Sequence, residues 1–214
     1  MILIGMFDSP FVRRVAVSMN VLGVKFEHRN WSVGKDFESI RKYNPLGRVP
    51  TLVQSDGEAL LESSAILDFL DESAGDRALL PRSGIERREA LRILAIATGA
   101  AEKGVTQVYE TAFRPPQNRF APWVDRCRTQ TFAALAELER IAAARSGEWF
   151  MGARMMQPDI TATCVYTFLI DAISIENAAA TYPVLAALAA RCEALPEFKS
   201  VSAPWSPPRG PAAP

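Results

Sequence analysis

The sequence has few of the residues that most often carry metal, redox or hydrolytic chemistry. Its three cysteines lie far apart with no Cys-x-x-Cys pair, which argues against disulfides, structural zinc and a dithiol redox centre. Its one histidine, His28, is expected to be a strand-surface residue. The sequence therefore argues against a hydrolase built on a serine and a histidine. We predict no metal site.

Strong charge and long hydrophobic runs are also absent. Lys+Arg and Asp+Glu both number 24 among the 214 residues, so the net charge is zero, whereas nucleic-acid binding normally needs a basic surface. No apolar run approaches the length of a membrane span. Residues 1–7 lack a basic start and a cleavage site, so they predict a strand and not a signal peptide. We expect a soluble, cytoplasmic protein without nucleic-acid or membrane partners.

The chain changes character near residue 74. Before that point the pattern predicts a strand, a helix capped by Ser9, a parallel second strand, a hairpin and a further helix. Beyond it, Ala- and Leu-rich segments predict long helices over 85–113, 122–145, 159–176 and 183–195. We therefore expect an α/β domain at 1–74, a linker at 75–84, an all-helical domain at 85–201 and a Pro-rich, non-helical tail at 202–214.

The stretch from residue 44 to residue 72 organises the first domain. Pro45, Gly47 and Pro50 restrict a loop to a few backbone conformations. Residues 51–54 then predict a strand, residues 55–58 a hairpin turn, and Ser63 the cap of a helix. The loop, the hairpin and the helix start would face the same side. That is the layout of a small pocket for an anion and a peptide.

Three motifs in this order resemble those of the soluble glutathione transferase family. They are Ser-Pro-Phe-x-x-Arg at 9–14, Asn-Pro-x-Gly-Arg-Val-Pro-x-Leu at 44–52 and Glu-Ser at 62–63, and they are similar to those of bacterial members. Beyond residue 72 the resemblance rests on the expected arrangement of helices and no longer on sequence motifs. It implies a thioredoxin-like α/β N-terminal domain followed by an all-α domain, usually in a homodimer. It also implies glutathione as cosubstrate, with no tightly bound cofactor.

Ser9 corresponds to the family hydroxyl that activates the glutathione thiol. A free thiol has a pKa of about 8.5, so lowering that pKa by roughly two units, about 2.7 kcal/mol, would make the thiolate the major form at neutral pH. A hydroxyl donor at the positive end of a helix is suited to that task. The alternative is that Ser9 only caps the helix, and the two roles are compatible.

The other glutathione contacts implied by the resemblance lie in the same motifs: Phe11, Arg48, Val49, Pro50, Glu62 and Ser63. The bond before Pro50 is expected to be cis, with the main chain of Val49 pairing with the extended tripeptide. Glu62 would accept from the ligand ammonium, and Ser63 would bind its α-carboxylate at a helix N-terminus. The alternatives are a solvated acid and a helix cap. Arg48 would meet the glycine carboxylate, or would be a free surface arginine.

Four aromatic residues are candidates for the electrophile pocket: Tyr109, Phe113, Trp123 and Trp205. Aromatic residues at helical spacing are also ordinary core, and that alternative stays open. Asp159 resembles a family aspartate at the start of a core helix. Met156 stands where its Ser or Thr partner is usual, so the capping box is incomplete and the expected role of Asp159 is structural.

Three functions follow from these residues. The first is conjugation of glutathione to a hydrophobic electrophile. The second is glutathione-dependent thiol exchange or isomerisation, but thiol-exchange relatives carry Cys where this chain has Ser9. Isomerase relatives carry a Ser-Cys pair, and Pro10 occupies the place of that cysteine. The third is a glutathione-binding or partner-binding module with little catalysis, since this fold is also used for binding.

Overall fold

A computed structural model of the chain describes residues 1–208. The strands are β1 (Ile2–Ile4), β2 (Glu27–Arg29), β3 (Thr51–Val53) and β4 (Ala59–Leu61). The helices are α1 (Pro10–Leu22), α2 (Phe37–Arg41), α3 (Ser63–Ala74), α4 (Gly84–Ala112), α5 (Ala121–Ala143), α6 (Gln157–Ile173), α7 (Ala178–Thr181), α8 (Pro183–Glu193) and α9 (Pro196–Lys199). Single 3₁₀ turns lie at Gly75–Arg77 and Pro116–Asn118. The described chain contains no helix both long and apolar enough to span a membrane.

The chain clusters into two compact units. One contains Met1–Leu79 together with the described residues from Glu197 on, and the other is Leu80–Pro196. The boundary at the C-terminal end differs from the expected 85–201, because the residues after Glu197 pack on the first unit. The Arg13 guanidinium on α1 donates to the carbonyl of Phe198 at 3.4 Å and to that of Val201 at 3.2 Å.

The first unit is built on a four-stranded mixed sheet in the order β2-β1-β3-β4. β1 and β2 pair in parallel, as the helical crossover predicted, and β3 pairs antiparallel with both β1 and β4. Ile4 and Val53 form a buried cluster with Ile40 of α2. Because side chains alternate along a strand, Leu3 and Leu52 point to the opposite face, and both are fully buried. The sheet therefore has a core on each face.

The helical unit is arranged around α6, most of whose residues are buried. α4 packs against both α5 and α6, and α8 packs against α5 and α6. Polar contacts connect these helices. Buried Gln107 on α4 donates to buried Thr131 on α5 at 3.1 Å. The Glu139 carboxylate on α5 accepts the main-chain N–H groups of Val184 and Leu185 at the start of α8, both at 2.9 Å. The sequence predicted every helix of this unit except α7.

The ends of several elements differ from the sequence-based expectations. α6 begins at Gln157, two residues before the expected start, and ends at Ile173 because Ser174 adopts a left-handed conformation with φ 51°. α5 runs over Ala121–Ala143 and α8 ends at Glu193. Ser202 to Pro208 contain no helix or strand, in agreement with the expected tail. The rest of that tail, 209–214, lies outside the described residues.

Candidate functional site

Ser9 is the N-cap of α1 in the structure. Its backbone is extended (φ −74°, ψ 125°), Pro10 follows at the first helical position, and the Val12 N–H lies 3.5 Å from the Ser9 Oγ. That distance is at the outer limit for a hydrogen bond, so the cap is weak. Within residues 1–208 the Ser9 hydroxyl has no other hydrogen-bond partner, and its proton is available to a ligand. The predicted cap is confirmed, and the hydroxyl can still donate.

Gly5 allows the end of β1 to approach both α1 and the loop before β3. It has a φ of 134°, a conformation that favours glycine. A Cβ atom at Gly5 would lie 2.5 Å from Cγ2 of Val12 and 2.9 Å from Cβ of Val49. The helix start that carries Ser9 and the loop that carries Val49 therefore both meet the end of β1, which brings two of the three motifs together.

Asn44 holds the loop before β3 in place. Its side chain is almost fully buried and donates to the Arg48 carbonyl at 2.8 Å and to the Thr51 hydroxyl at 3.1 Å. Its Oδ1 accepts the main-chain N–H of Leu46 at 2.9 Å. The peptide bond between Val49 and the buried Pro50 is cis, as the resemblance predicted. The resemblance assigns no role to Asn44. Its position before a Pro-x-Gly turn nevertheless indicates an asparagine that hydrogen-bonds to the main chain of the turn.

The start of α3 differs from the prediction in its cap. Glu62, and not Ser63, is the N-cap: its Oε2 accepts the Ser64 N–H at 3.0 Å, and its backbone has a φ of 71°. Ser63 is the first helical residue and is fully buried. Its hydroxyl donates to Oε1 of Glu62 at 3.0 Å. The Glu62 side chain is longer than that of serine, so it can reach the Ser64 N–H from the residue before the first helical position. That N–H has no partner within the helix.

A buried arginine lies behind this helix start. Nη2 of Arg14, on α1, donates to the hydroxyl of Ser63 at 2.7 Å and to that of Ser64 at 2.9 Å. Burial opposes ionisation of Glu62, but the hydrogen bonds from Ser64 and Ser63 and the Arg14 charge outweigh it, so the pKa of Glu62 is lowered. The Glu62 carboxylate is therefore ionised. Hydrogen bonds from Ser63 and Ser64 orient it, and the charge of Arg14 stabilises it.

Arg48 and Phe11 are the remaining predicted glutathione contacts. Arg48 is exposed, and its carbonyl accepts from Asn44 and Thr51. Phe11 is half-buried in the first turn of α1. The structure thus places all the predicted glutathione contacts in the first unit, on the start of α1, the loop before β3 and the start of α3.

The four candidate pocket aromatics belong to different units. In the helical unit, Tyr109 and Phe113 on α4 contact each other edge to face, with ring centroids 4.9 Å apart. Trp123 on α5 is exposed, and the ammonium of Lys103 lies 5.3 Å from its ring centroid. Trp205 is half-buried in the C-terminal residues of the first unit. Their role in a pocket stays a prediction.

Two contacts near Ser9 were not anticipated from the sequence. His28 stacks on Phe7, with ring centroids 3.7 Å apart, and its Nε2 lies 2.7 Å from the Gly5 carbonyl oxygen, so it is more than a surface residue. Asp8 accepts the main-chain N–H of Ser206 at 3.3 Å. Burial raises the pKa of Asp8, and the hydrogen bond from Ser206 opposes that effect. No local pattern could have indicated a partner 198 residues away.

The described residues contain no cluster of three or more His, Cys, Asp or Glu that could hold a metal ion. Cys127, Cys164 and Cys192 are free and buried. Burial raises the pKa of the Cys192 thiol to about 11, which keeps it protonated at neutral pH. The polar groups that the predicted glutathione contacts offer are the hydroxyls of Ser9 and Ser63, the Glu62 carboxylate, the Arg48 guanidinium and main-chain groups.

The sequence is similar to proteins of one family. The family model for the glutathione S-transferase N-terminal domain matches residues 3–78. The uncharacterized GST-like protein YibF of Escherichia coli is 32% identical over 137 residues, which cover 64% of this chain and 67% of that protein. The probable maleylacetoacetate isomerase of Vibrio cholerae is 28% identical over 92% of this chain and 93% of that protein.

A solved structure extends the similarity to the whole fold. A glutathione S-transferase from Methylobacterium radiotolerans, crystallised with glutathione sulfonate, superposes with a TM-score of 0.89. The two chains are 30% identical, and the match covers 96% of this chain and 95% of the other. The α/β unit followed by the helical unit is therefore the architecture of that protein as well.

Proposed function

Since the chain belongs to the glutathione S-transferase family, we propose that it binds glutathione and conjugates the glutathione thiolate to a hydrophobic electrophile. The observation that carries the proposal is the Ser9 hydroxyl, which caps α1 weakly and keeps its proton available. A donor at the start of a 13-residue helix adds a hydrogen bond to the positive end of the helix dipole, and both favour a thiolate.

In the reaction, the Ser9 hydroxyl donates to the glutathione sulfur and lowers the pKa of its thiol. The thiolate then forms a carbon–sulfur bond with the electrophile. Either a leaving group departs with the electron pair of the broken bond, or an addition product takes up a proton from water. Ser9 stays protonated throughout, so no histidine is required for the step.

The rest of glutathione is held by groups that do not react. The Val49 main chain pairs with the middle of the tripeptide, and Arg48 meets the glycine carboxylate. Glu62 accepts from the γ-glutamyl ammonium, and its lowered pKa keeps it ionised for that purpose. The start of α3 receives the α-carboxylate. Together these contacts set affinity, whereas Ser9 sets the reactivity of the thiol.

The experiment is Ser9→Ala, with the thiol pKa of bound glutathione followed by thiolate absorbance. Removing a hydrogen bond to a charged sulfur costs about 1.5–3 kcal/mol. The pKa of the bound thiol should therefore rise by about one to two units, and kcat/KM near neutral pH should fall about tenfold to a hundredfold. The rate profile should move to alkaline pH.

Loss of the cap complicates that experiment, because it removes about 1 kcal/mol of stability by itself. Ser9→Thr is the matched control: it keeps both the cap and the donor, so it should retain most of the rate. A Ser9→Ala protein that is less stable but keeps the wild-type thiol pKa and rate would reduce Ser9 to a cap. A wild-type protein that does not bind glutathione would overturn the whole proposal.

A second candidate is glutathione-dependent isomerisation, which the similarity to the probable maleylacetoacetate isomerase over 92% of the chain favours. In that reaction the sulfur adds to a carbon–carbon double bond and leaves again after rotation, so glutathione is regenerated. Pro10 stands where relatives of that type carry cysteine. Assays with a chloronitrobenzene and with a cis-unsaturated diacid distinguish the two: consumption of glutathione indicates conjugation, and isomer formation without consumption indicates isomerisation.

A further inference from the structure

Arg14 is among the largest fully buried side chains of the protein, at 2% exposure. Burial removes the hydration of a guanidinium, which costs free energy unless polar partners replace the water. Two of those partners are the hydroxyls of Ser63 and Ser64, at 2.7 and 2.9 Å from the same nitrogen. Both hydroxyls belong to the first turn of α3, where the proposed function seats the γ-glutamyl group of glutathione.

These contacts restrict the direction of a hydroxyl proton. An oxygen that accepts from Arg14 must point its own proton elsewhere, because a hydroxyl carries only one. For Ser63 that proton is donated to Oε1 of Glu62 at 3.0 Å, and Oε2 of Glu62 takes the Ser64 N–H at 3.0 Å. A single chain of hydrogen bonds thus runs from Arg14 through Ser63 to the Glu62 carboxylate.

We propose that Arg14 is a positioning residue for the γ-glutamyl end of glutathione. It holds the Ser63 and Ser64 hydroxyls, orients the Glu62 carboxylate through them, and adds a buried positive charge behind the helix start that receives the α-carboxylate. The inference rests on the proposed glutathione site and deepens it. Arg14 acts through its neighbours, so it controls affinity for the γ-glutamyl group and leaves the thiol chemistry at Ser9 unchanged.

Arg13 provides a comparison within the same helix. It is also buried, at 6% exposure, but its guanidinium donates to the carbonyls of Phe198 and Val201. The guanidinium carbon of Arg13 also lies 5.9 Å from the ring centroid of Phe198. Replacing either arginine removes a buried charge from α1, and only Arg14 contacts the start of α3 through the hydrogen bonds described above.

The test compares Arg14→Met, Arg14→Lys and Arg13→Met by calorimetry and kinetics, with melting curves on the same samples. Two thiols are used: glutathione, and cysteinylglycine, which lacks the γ-glutamyl group. For Arg14→Met we expect the Kd and KM of glutathione to rise about tenfold, with kcat at saturation and the Kd of cysteinylglycine within about twofold of wild type. Arg14→Lys keeps the charge but not the forked donor, so its effect should be intermediate. Arg13→Met should lower the melting temperature and leave the glutathione Kd unchanged.

Each result decides the matter. An unchanged glutathione Kd in Arg14→Met, or an equal loss for both thiols, would overturn the positioning role. If Arg14→Met does not fold, Arg14→Lys carries the same comparison between the two thiols, with a selective loss of about threefold expected. A wild-type protein that binds cysteinylglycine and glutathione equally also contradicts the inference but leaves the transferase proposal standing. Failure of wild type to bind glutathione at all removes the proposed function and this inference together.

Discussion

Asp159 is the buried carboxylate that fixes the start of α6. Its Oδ1 accepts the Phe150 N–H and its Oδ2 accepts the Met156 N–H, both at 2.8 Å, and the residue is fully buried. Burial raises its pKa from 3.8 to about 6, and the two N–H donors oppose that rise without cancelling it. The expected structural role is supported by these contacts, which hold the loop before α6 to its first turn.

The raised pKa of Asp159 makes the free energy of unfolding depend on pH. Because the folded pKa lies above the unfolded one, the contribution is fully present below about pH 4 and is lost as the pH rises through about 6. The separation of about two units corresponds to about 3 kcal/mol. Asp159→Asn removes the titration, so the stability of wild type relative to this variant should fall by roughly that amount between pH 4 and pH 7.

Urea unfolding of both proteins across that range measures the difference. Asp171→Asn, an exposed position on the same helix, is the control and should give a profile parallel to that of wild type. If the Asp159→Asn profile also runs parallel to wild type, burial does not raise the pKa of Asp159.

At the scale of elements, the close approach of α4 to α6 depends on one glycine. A Cβ atom at Gly104 would lie 2.3 Å from Cδ2 of Leu169 and 3.3 Å from a ring carbon of Phe168. Leu169 is fully buried, so its side chain has little room to move away. Gly99 lies on the same helix, and no atom of another element lies within 4 Å of the point that its Cβ would occupy. Gly99 is therefore a matched control.

The two glycines should therefore respond oppositely to alanine. In both, alanine gains about 1 kcal/mol of helix propensity. At Gly104 overpacking costs about 1–3 kcal/mol, so we expect Gly104→Ala to lower the free energy of unfolding by up to about 2 kcal/mol. Gly99→Ala should raise it by about 0.5–1 kcal/mol. Denaturant unfolding decides between these outcomes, and a stabilised Gly104→Ala protein would mean that α6 can shift to admit the methyl group.

At the scale of the whole molecule, we predict a homodimer. The resemblance implies it, and α4 exposes the aliphatic side chains of Ile85, at 73%, and Leu91, at 45%. Light scattering at micromolar concentration should give about 47 kDa, twice the 23.5 kDa of the chain. Leu91→Arg should shift the mass toward the monomer, because a charge buried in an interface without a partner is costly. A wild-type mass of one chain would contradict the prediction.

The sequence by itself determined the architecture and the three motifs. Prolines, glycines and the alternation of apolar residues are local signals, and each acts on a backbone only a few residues away. Ser9 with Pro10 could therefore be identified as a helix start without a structure. The Ala- and Leu-rich helices after residue 84 could also be predicted from the sequence, because helix propensity sums over a long window.

Only the tertiary structure decided how the site is held together. The cap of α3 is Glu62 and not Ser63, and the Ser63 hydroxyl accepts instead from Arg14, a residue 49 positions earlier in the chain. The C-terminal residues join the first unit because Arg13 binds carbonyls at Phe198 and Val201. Such contacts join residues far apart in the chain, and a sequence read by local pattern carries no signal for which polar side chains will be buried together.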